Sequence, residues 1–213
     1  MVYYNPRNID FKTPIKEIVQ TKLKNKDDIF FLQEFVDNIY VNVQELFPNG
    51  EYMIHGNDDF KKVRSNVVAI TLKNSNWEVS VFDQGNDKNF PNTNKIISME
   101  NKNIKLCNKN LQITSFQNTD KDIENSIKEC CMGDDIDIII GDFNNSIWIA
   151  ELKDNKSFRD LVTDDMITFK PAQTTIDRIF VRNRTEFDNK IVFNGVVETY
   201  ASDHNLLSFC LNI

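Results

Sequence analysis

Short apolar runs that end in polar residues constrain this chain more than any other feature. Residues 28–33 (DIFFLQ) and 136–140 (IDIII) are apolar along most of their length, which is typical of strands buried on both faces. Glu34 follows the first run, and Gly141-Asp142 follows the second. Because a sheet holds the residues at its edge rigidly, these polar side chains are predicted to face a cleft.

Helical spacing alternates with these strand patterns along the chain. Residues 13–24 begin with Thr13-Pro14, which suits the start of a helix, and their apolar residues recur at helical intervals. Further helices are predicted at residues 35–47 and 119–132, and further strands at residues 2–5, 51–54, 66–73, 77–82, 111–116, 176–181, 191–198 and 206–212. The alternation predicts a single α/β domain over residues 1–213. Its predicted architecture is a four-layer sandwich, in which two mixed β-sheets pack face to face with helices outside.

The charge of the chain limits how it can bind nucleic acid. Its formal net charge is -7, and 40% of its residues are hydrophobic, enough for a sizeable core. An acidic chain does not attract phosphate backbones by its bulk charge, so a nucleic-acid partner must contact a local basic patch or a bound cation. Lys61, Lys62 and Arg64 form the best basic cluster, and an ordinary solvated surface explains that cluster equally well.

Cysteine usage and the first residues bear on location. None of the four cysteines forms a CxxC motif, so reduced and mostly buried thiols are expected, and a zinc site is not. Residues 1–5 do not resemble a signal peptide, and no stretch approaches about 18 apolar residues. We therefore expect a cytoplasmic protein without a membrane span, and its oligomeric state stays open.

More polar residues stand beside the other predicted strands. They are Asn5, Asn144, Asp177 and the pair Asp203-His204. Carboxylates, amides and an imidazole can bind a hard metal ion, orient a water molecule and contact a phosphate oxygen. The chain has only two histidines, so a histidine that follows an aspartate at the edge of a predicted strand is a candidate for chemistry.

Five short motifs, taken in order, carry a family resemblance. They are Tyr4-Asn5-Pro6-Arg7, Phe31-Leu32-Gln33-Glu34, Gly141-Asp142-Phe143-Asn144, Ile176-Asp177-Arg178-Ile179-Phe180 and Ser202-Asp203-His204. With this order and spacing, the sequence resembles the endonuclease/exonuclease/phosphatase superfamily, which has the deoxyribonuclease I-like fold. The resemblance covers nearly the whole chain. It implies a hydrolase that uses Mg²⁺ or Mn²⁺ and cleaves phosphoester bonds by direct attack of water.

The resemblance assigns a metal site to three residues. Glu34 would be the main ligand of Mg²⁺ or Mn²⁺, with Asn5 and Asp203 lining the same site. Magnesium prefers oxygen ligands and keeps several waters, so one or two carboxylates suffice. Taken alone, Glu34 would also suit the start of a helix, where the helix dipole favours a carboxylate.

The resemblance also implies catalytic roles for four residues. Asp142 would orient or deprotonate the attacking water, and Asn144 would hold a phosphate oxygen as negative charge builds on it. His204 would contact the phosphate, while Asp177 would fix its tautomer. The alternatives are an ordinary turn after a strand for Asp142 and Asn144, and a structural ion pair between Asp177 and Arg178.

Three further residues are predicted to bind substrate. Arg7 and Lys170 are candidate phosphate contacts, although a solvated surface position would also explain either residue. Gln117 stands where the family usually carries a histidine. Glutamine can donate a hydrogen bond to a phosphate but cannot carry a proton between groups. Protonation of the leaving oxygen would then fall to a water at the metal, or activity would be reduced.

The resemblance favours one function and leaves two others open. A phosphodiesterase acting on DNA or another nucleic acid is favoured, because Asn5-Pro6-Arg7 and Asp177-Arg178-Ile179 are closest to the deoxyribonuclease branch. One alternative is a phosphatase or phosphodiesterase acting on a small phosphorylated or lipid substrate, because fold and core residues do not fix the substrate. The other is a catalytically weakened binding or partner protein, which Gln117 suggests.

Overall fold

A computed structural model describes most of the chain: residues 12–35, 47, 50–56, 66–80, 95–106, 109–117, 125, 128, 136–144, 146–198 and 204–212. Some sequence predictions lie outside the described residues. They are the strand at 2–5, most of the helices at 35–47 and 119–132, the basic cluster at 61–64, and Asn5, Arg7 and Asp203.

The described residues include two α-helices, a short 3-10 helix (Thr185–Phe187) and eleven strands. The α-helices are α1 (Lys12–Lys22) and α2 (Ser146–Asp154). The strands are β1 (Phe30–Phe35), β2 (Tyr52–His55), β3 (Asn66–Leu72), β4 (Trp77–Val79), β5 (Ile96–Leu106), β6 (Lys109–Gln117), β7 (Ile138–Asp142), β8 (Phe158–Asp160), β9 (Asp177–Arg182), β10 (Ile191–Val197) and β11 (Leu206–Leu211). Strands β5 and β8 and helix α2 are absent from the sequence predictions; the predicted strands in the described ranges are present, with shifted ends. Neither helix is long and apolar enough to cross a bilayer.

The largest sheet mixes parallel and antiparallel pairs. Its six strands run in the order β4-β5-β6-β7-β9-β8, and β6 pairs with β7 in parallel while the other neighbours are antiparallel. The remaining described strands form a three-stranded sheet, β1-β3-β2, and a two-stranded sheet, β10-β11. The six-stranded sheet is therefore mixed, as predicted.

The main core lies between the sheets. Ile113, Ile138 and Ile179 line the inner face of the six-stranded sheet and are almost fully buried. They pack in one cluster with Val67 of β3 and with Leu207 of β11. The six-stranded sheet thus faces the smaller sheets across an apolar layer, because apolar side chains of both leave water there.

The helices cover the outer faces of these sheets. Helix α2 buries Trp148 and Leu152 against Phe180 on the outside of the six-stranded sheet. Helix α1 buries Val19 against the outer face of the three-stranded sheet, and Leu23, the residue after the helix, packs in the same cluster. The order helix, sheet, sheet, helix is the predicted four-layer sandwich.

Candidate active site

Three polar residues form a row across the edge of the six-stranded sheet. Gln117, the last residue of β6, stands opposite Asp142 of β7, and Asp142 stands opposite Asp177 of β9. Directly opposite residues in neighbouring strands point to the same face. The row therefore places two carboxylates and an amide side by side, and all three residues are buried.

Close packing at the end of β7 fixes the position of Asp142 within this row. Gly141 lies against Phe116, and a Cβ on Gly141 would overlap the Phe116 carbonyl oxygen and touch the Phe116 ring at 3.0 Å. Phe143, just past the strand, enters an aromatic cluster with centroid distances of 4.8 Å to Phe116, 4.9 Å to Trp148 and 5.3 Å to Phe180. Both neighbours of Asp142 in the chain are thus tightly packed, Gly141 by its backbone and Phe143 by its ring on the outer face, and Asp142 itself points to the inner face.

A turn after β7 orients the Asp142 carboxylate. The backbone N–H of Asn144 donates to Oδ1 of Asp142 at 3.0 Å, and the Asn144 side-chain amide donates to Oδ2 at 2.8 Å. Asn144 has φ 41°, a left-handed conformation that asparagine tolerates better than most residues. The turn alternative and the catalytic prediction therefore describe the same geometry, because this turn is what holds the carboxylate.

The acidity of Asp142 is strongly perturbed. Burial raises its pKa, and the neighbouring carboxylate of Asp177 raises it further, while His204 and the Asn144 N–H act in the opposite direction; the resulting pKa is about 7. A carboxyl group with a pKa near neutral pH can accept a proton and release it under mild conditions. Perturbed groups of this kind are enriched at catalytic sites.

Asp177 and His204 form the predicted dyad geometry. Nδ1 of His204 lies 2.7 Å from Oδ2 of Asp177, and both residues are buried. A carboxylate at Nδ1 selects the tautomer that is protonated there and fixes the ring orientation. The expected hydrogen bond is therefore present, and the catalytic role of the pair stays a prediction.

A two-residue segment joins the two halves of the dyad. The hydroxyl of Thr168 accepts hydrogen bonds from the backbone N–H groups of Ile176 and Asp177, both at 3.0 Å. The Thr168 carbonyl accepts the Asn205 N–H at 2.7 Å, and Phe169 forms a β-bridge with His204. Because Thr168 is fully buried, these bonds do not compete with water, and they fix both dyad segments against each other.

Arg178 does not pair with Asp177, so the ion-pair alternative is wrong. Its guanidinium binds Asp160 at 3.0 Å and Asp164 at 2.5 Å. Successive residues of a strand point to opposite faces, which explains why Arg178 and Asp177 diverge. Arg178 also donates to the Val162 carbonyl at 2.6 Å, so it fastens the segment after β8 to β9.

The predicted metal ligands fall largely outside the described residues. Glu34 lies in β1, whose end is tied to β6 by a 2.7 Å hydrogen bond from Gln33 Nε2 to the Phe116 carbonyl. The backbone of Glu34 therefore lies near the end of the row, while Asn5 and Asp203 are outside the described ranges. In the part of the chain that the structure describes, no group of three His, Cys, Asp or Glu residues could hold a metal.

Of the predicted substrate contacts, Gln117 belongs to the row, and Lys170 lies beside the dyad. Gln117 is 2% exposed, and its Oε1 accepts a hydrogen bond from Lys95 Nζ at 2.9 Å. Lys170 is partly exposed and follows Phe169 in the turn beside His204. Arg7 lies outside the described residues.

Sequence reasoning missed two residues of this site. Lys95 precedes β5, a strand that was not predicted, so nothing in the pattern placed it near Gln117. Thr168 stands next to Phe169 and Lys170 in the sequence, and a buried hydroxyl beside a predicted dyad has no sequence signal of its own.

Comparison with solved structures finds relatives in fold. An endonuclease/exonuclease/phosphatase protein from Bacteroides vulgatus is similar over 99% of this chain and 95% of its own, with TM-score 0.61 and 17% identity. The endonuclease domain of TRAS1, a telomere-specific non-LTR retrotransposon, has TM-score 0.60 and 17% identity over 95% and 92% of the two chains. A mannosyl-6-phosphatase from Bacteroides thetaiotaomicron has TM-score 0.56 and 18% identity over 94% and 90%.

Sequence comparison adds no closer relative. No protein-family model matches the chain, and no curated protein matches it. The structural likeness nevertheless covers almost the entire length of both chains in each pair. This protein therefore has the fold of the endonuclease/exonuclease/phosphatase superfamily, the fold that its five motifs predicted.

Proposed function

We propose that this protein is a divalent-metal-dependent phosphodiesterase that hydrolyses nucleic acid by direct attack of water. One observation carries the proposal: Asp142, with a pKa near 7, stands beside the Asp177–His204 pair at a single sheet edge. The fold supports a phosphoester hydrolase, because the similar proteins include an endonuclease and a phosphatase.

Asp142 is the proposed base for the attacking water. Asn144 donates a hydrogen bond to each oxygen of its carboxylate. A remaining lone pair of that carboxylate can therefore be directed at a water molecule without rotation of the side chain. A base is most effective when its pKa lies near the working pH. Asn144 is exposed next to Asp142, and it remains a proposed contact to a phosphate oxygen.

His204 is the proposed phosphate contact. Asp177 accepts from Nδ1, which turns the opposite edge of the imidazole away from the carboxylate. A donor aimed at a phosphate oxygen stabilises the charge that develops in the transition state.

A divalent cation fits the chemistry of the predicted ligands. The described edge carries two adjacent carboxylates, Asp142 and Asp177. Burial raises the pKa of Asp142, and the charge of Asp177 raises it further. An anionic phosphate needs compensating charge to enter such a site. Glu34, Asn5 and Asp203 are proposed to hold Mg²⁺ or Mn²⁺, since their oxygen donors are the ones these ions prefer. The cation would neutralise charge on the phosphate.

A phosphatase acting on a small phosphorylated or lipid substrate is the second candidate. The likeness to a mannosyl-6-phosphatase favours it, and one fold can serve both substrate classes. A weakened binding or partner protein is the third, suggested by Gln117. The arrangement of Asp142 opposite Asp177, with His204 hydrogen-bonded to Asp177, favours a catalytic protein instead.

Plasmid nicking tests the proposed function directly. Purified protein is incubated with supercoiled plasmid in Mg²⁺ or Mn²⁺, with and without chelator, and in parallel with a panel of phosphomonoesters and lipid phosphodiesters. Metal-dependent nicking is expected. Release of phosphate from a monoester without nicking would replace the first candidate with the second. No hydrolysis of any phosphoester would contradict both.

A further inference from the structure

The ring of Phe169 packs against the imidazole of His204. The two ring centroids lie 4.7 Å apart, and the ring planes are tilted by 47°. His204 is 3% exposed and Phe169 is partly buried, so the contact is largely shielded from water. Tilted aromatic contacts at this distance are favourable and depend on ring geometry. The apolar ring therefore has a defined place on one face of the imidazole.

This contact adds a constraint that the Asp177 hydrogen bond does not supply. The bond from Nδ1 of His204 to Oδ2 of Asp177, at 2.7 Å, fixes the position of one ring nitrogen. A plane that is fixed at one atom can still tilt about that atom. A second ring packed on its face restricts the tilt, and the two contacts together determine the direction in which Nε2 points.

Backbone hydrogen bonds fix Phe169 itself. Its N–H donates to the Thr174 carbonyl at 2.9 Å, and its carbonyl accepts the Thr174 N–H at 3.2 Å. The turn between them is closed by Gln173, whose side-chain amide donates to the Lys170 carbonyl at 2.6 Å. Because Phe169 also forms a β-bridge with His204, the two rings stand on backbone segments that pair with each other.

Both ends of the segment that carries Phe169 are fastened to β9. The guanidinium of Arg178 donates to the Val162 carbonyl at 2.6 Å and to the Thr175 carbonyl at 3.2 Å. Arg178 follows Asp177 in the same strand. The strand that carries one half of the dyad thus also positions the ring that packs on the other half.

We propose that Phe169 is a positioning residue that sets the orientation of the His204 ring. This inference rests on the proposed function and deepens it, because His204 is the proposed phosphate contact and the direction of its Nε2 decides whether it meets a phosphate oxygen. The Phe169 side chain has no hydrogen-bonding group, so it acts through His204 and not on the phosphate. A site of this kind requires its groups to be held within about 10–20° of the productive geometry by packing.

Substitution at Phe169, alone and combined with a change at His204, tests the proposal. Phe169→Leu keeps an apolar side chain but removes the flat ring, and Phe169→Tyr keeps the ring. Phe193→Leu is the matched control, because Phe193 is a partly buried phenylalanine of β10 that packs against the main core. Thermal unfolding checks that every variant is folded.

Nuclear magnetic resonance reads the ring orientation independently of activity. The chain has only two histidines, so protein with isotope-labelled histidine gives two sets of ring signals, which His204→Asn assigns. In Phe169→Leu the His204 signals should shift and broaden as the ring gains alternative tilts, and Phe169→Tyr should retain a single sharp set. The signals of His55, which is bonded to Thr71 in the three-stranded sheet, should stay unchanged.

Plasmid nicking in Mn²⁺ reads the consequence for the proposed reaction. Phe169→Leu should lower kcat by about 10- to 100-fold with little change in KM, since misplacement of a group by about 1 Å can cost about 100-fold. Phe169→Tyr should recover most of the rate, and Phe193→Leu should match the parent. In the His204→Asn background, which has no imidazole to orient, Phe169→Leu should change the rate by less than about threefold.

Four outcomes would overturn the role of Phe169. They are His204 signals that do not change in Phe169→Leu, an effect on KM instead of kcat, the same loss in the His204→Asn background as in the parent, and an equal loss in Phe193→Leu. If the parent nicks no plasmid, the proposed nuclease function fails, and the His204 signals alone decide whether Phe169 orients the ring.

Discussion

At the scale of single residues, Asp142 is a buried carboxyl group with a strongly raised pKa. A surface carboxyl group would be fully ionised at neutral pH, but burial and the Asp177 charge bring the pKa of Asp142 to about 7. Gly141 and Phe143, the neighbours of Asp142 in the chain, are tightly packed. This packing keeps the Asp142 carboxyl group in its buried position. This arrangement makes a prediction about stability as a function of pH.

Asp142→Asn should stabilise the protein at high pH. Because the pKa of Asp142 is raised on folding, its carboxyl group costs nothing below about pH 4, and the cost grows as pH rises to about 7 and is constant above it. The free energy of unfolding of Asp142→Asn, relative to the parent, should therefore rise by about 3 to 4 kcal/mol between pH 4 and pH 8.

Urea unfolding at both pH values, in the presence of chelator, measures this difference. Asp154→Asn is the control, because Asp154 is exposed at the end of α2 and should give no such trend. A difference between Asp142→Asn and parent that does not change with pH would show that Asp142 is an ordinary carboxylate.

The dyad was predictable from residues, and its surroundings were not. Asp177 and His204 each stand in a short motif beside an apolar strand, and the family resemblance that these motifs carry implied their pairing. Thr168 has no such pattern: its role comes from a hydroxyl that is buried between two segments, and burial is a property of the tertiary fold. Lys95 was missed because β5, the strand that it precedes, was not predicted from the sequence.

At the scale of elements, β5 and α2 show why some elements could not be predicted from the sequence pattern. Ser98 and Asn101 are buried polar residues in β5, satisfied by Thr114 at 2.9 Å and Asp27 at 2.9 Å. Partners distant in sequence make these polar positions acceptable, so the apolar signal of the strand is diluted. Helix α2 has only nine residues, too few for a clear helical period.

The segment around Thr168 should position the dyad rather than only support the fold. Thr168→Val keeps the shape but leaves the N–H groups of Ile176 and Asp177 without an acceptor, which should destabilise the protein by roughly 1–3 kcal/mol. Thr168→Ser keeps the hydroxyl and should lose less.

Rates of phosphodiester hydrolysis, taken well below each unfolding temperature, separate positioning from stability. Thr168→Val should lower kcat with little change in KM, and Thr168→Ser should restore most of it. Equal rates in the two variants would mean that the hydroxyl does not set the dyad.

The close contact between β6 and β7 should depend on glycine. Gly141→Ala would drive a Cβ into the Phe116 carbonyl oxygen, and the backbone atom cannot turn aside as a side chain can. Overpacking of this kind costs typically 1–3 kcal/mol, and separation of the strands would also displace Asp142 from Gln117. Circular dichroism melting measures the loss, and an unchanged melting temperature would show that the contact is loose. Leu152→Ala, a cavity under α2 on the same outer face, is the comparison, since it removes packing without moving the row.

At the scale of the whole molecule, the architecture was the most predictable feature. Strand patterns that alternate with helices, together with five ordered motifs, predicted the four-layer sandwich, and the described residues form it. The substrate was not predictable in the same way, because proteins of this fold include both an endonuclease and a phosphatase.

The central claim is that Asp142 activates water for phosphodiester hydrolysis. The rate of plasmid nicking at pH 8 in Mn²⁺ by Asp142→Asn, beside the parent and Asp154→Asn, tests it most directly. Loss of a general base costs typically 100- to 10,000-fold, so Asp142→Asn should fall by that range while it stays folded and Asp154→Asn nicks at the parent rate. Nicking by Asp142→Asn at half the parent rate or more would contradict the account.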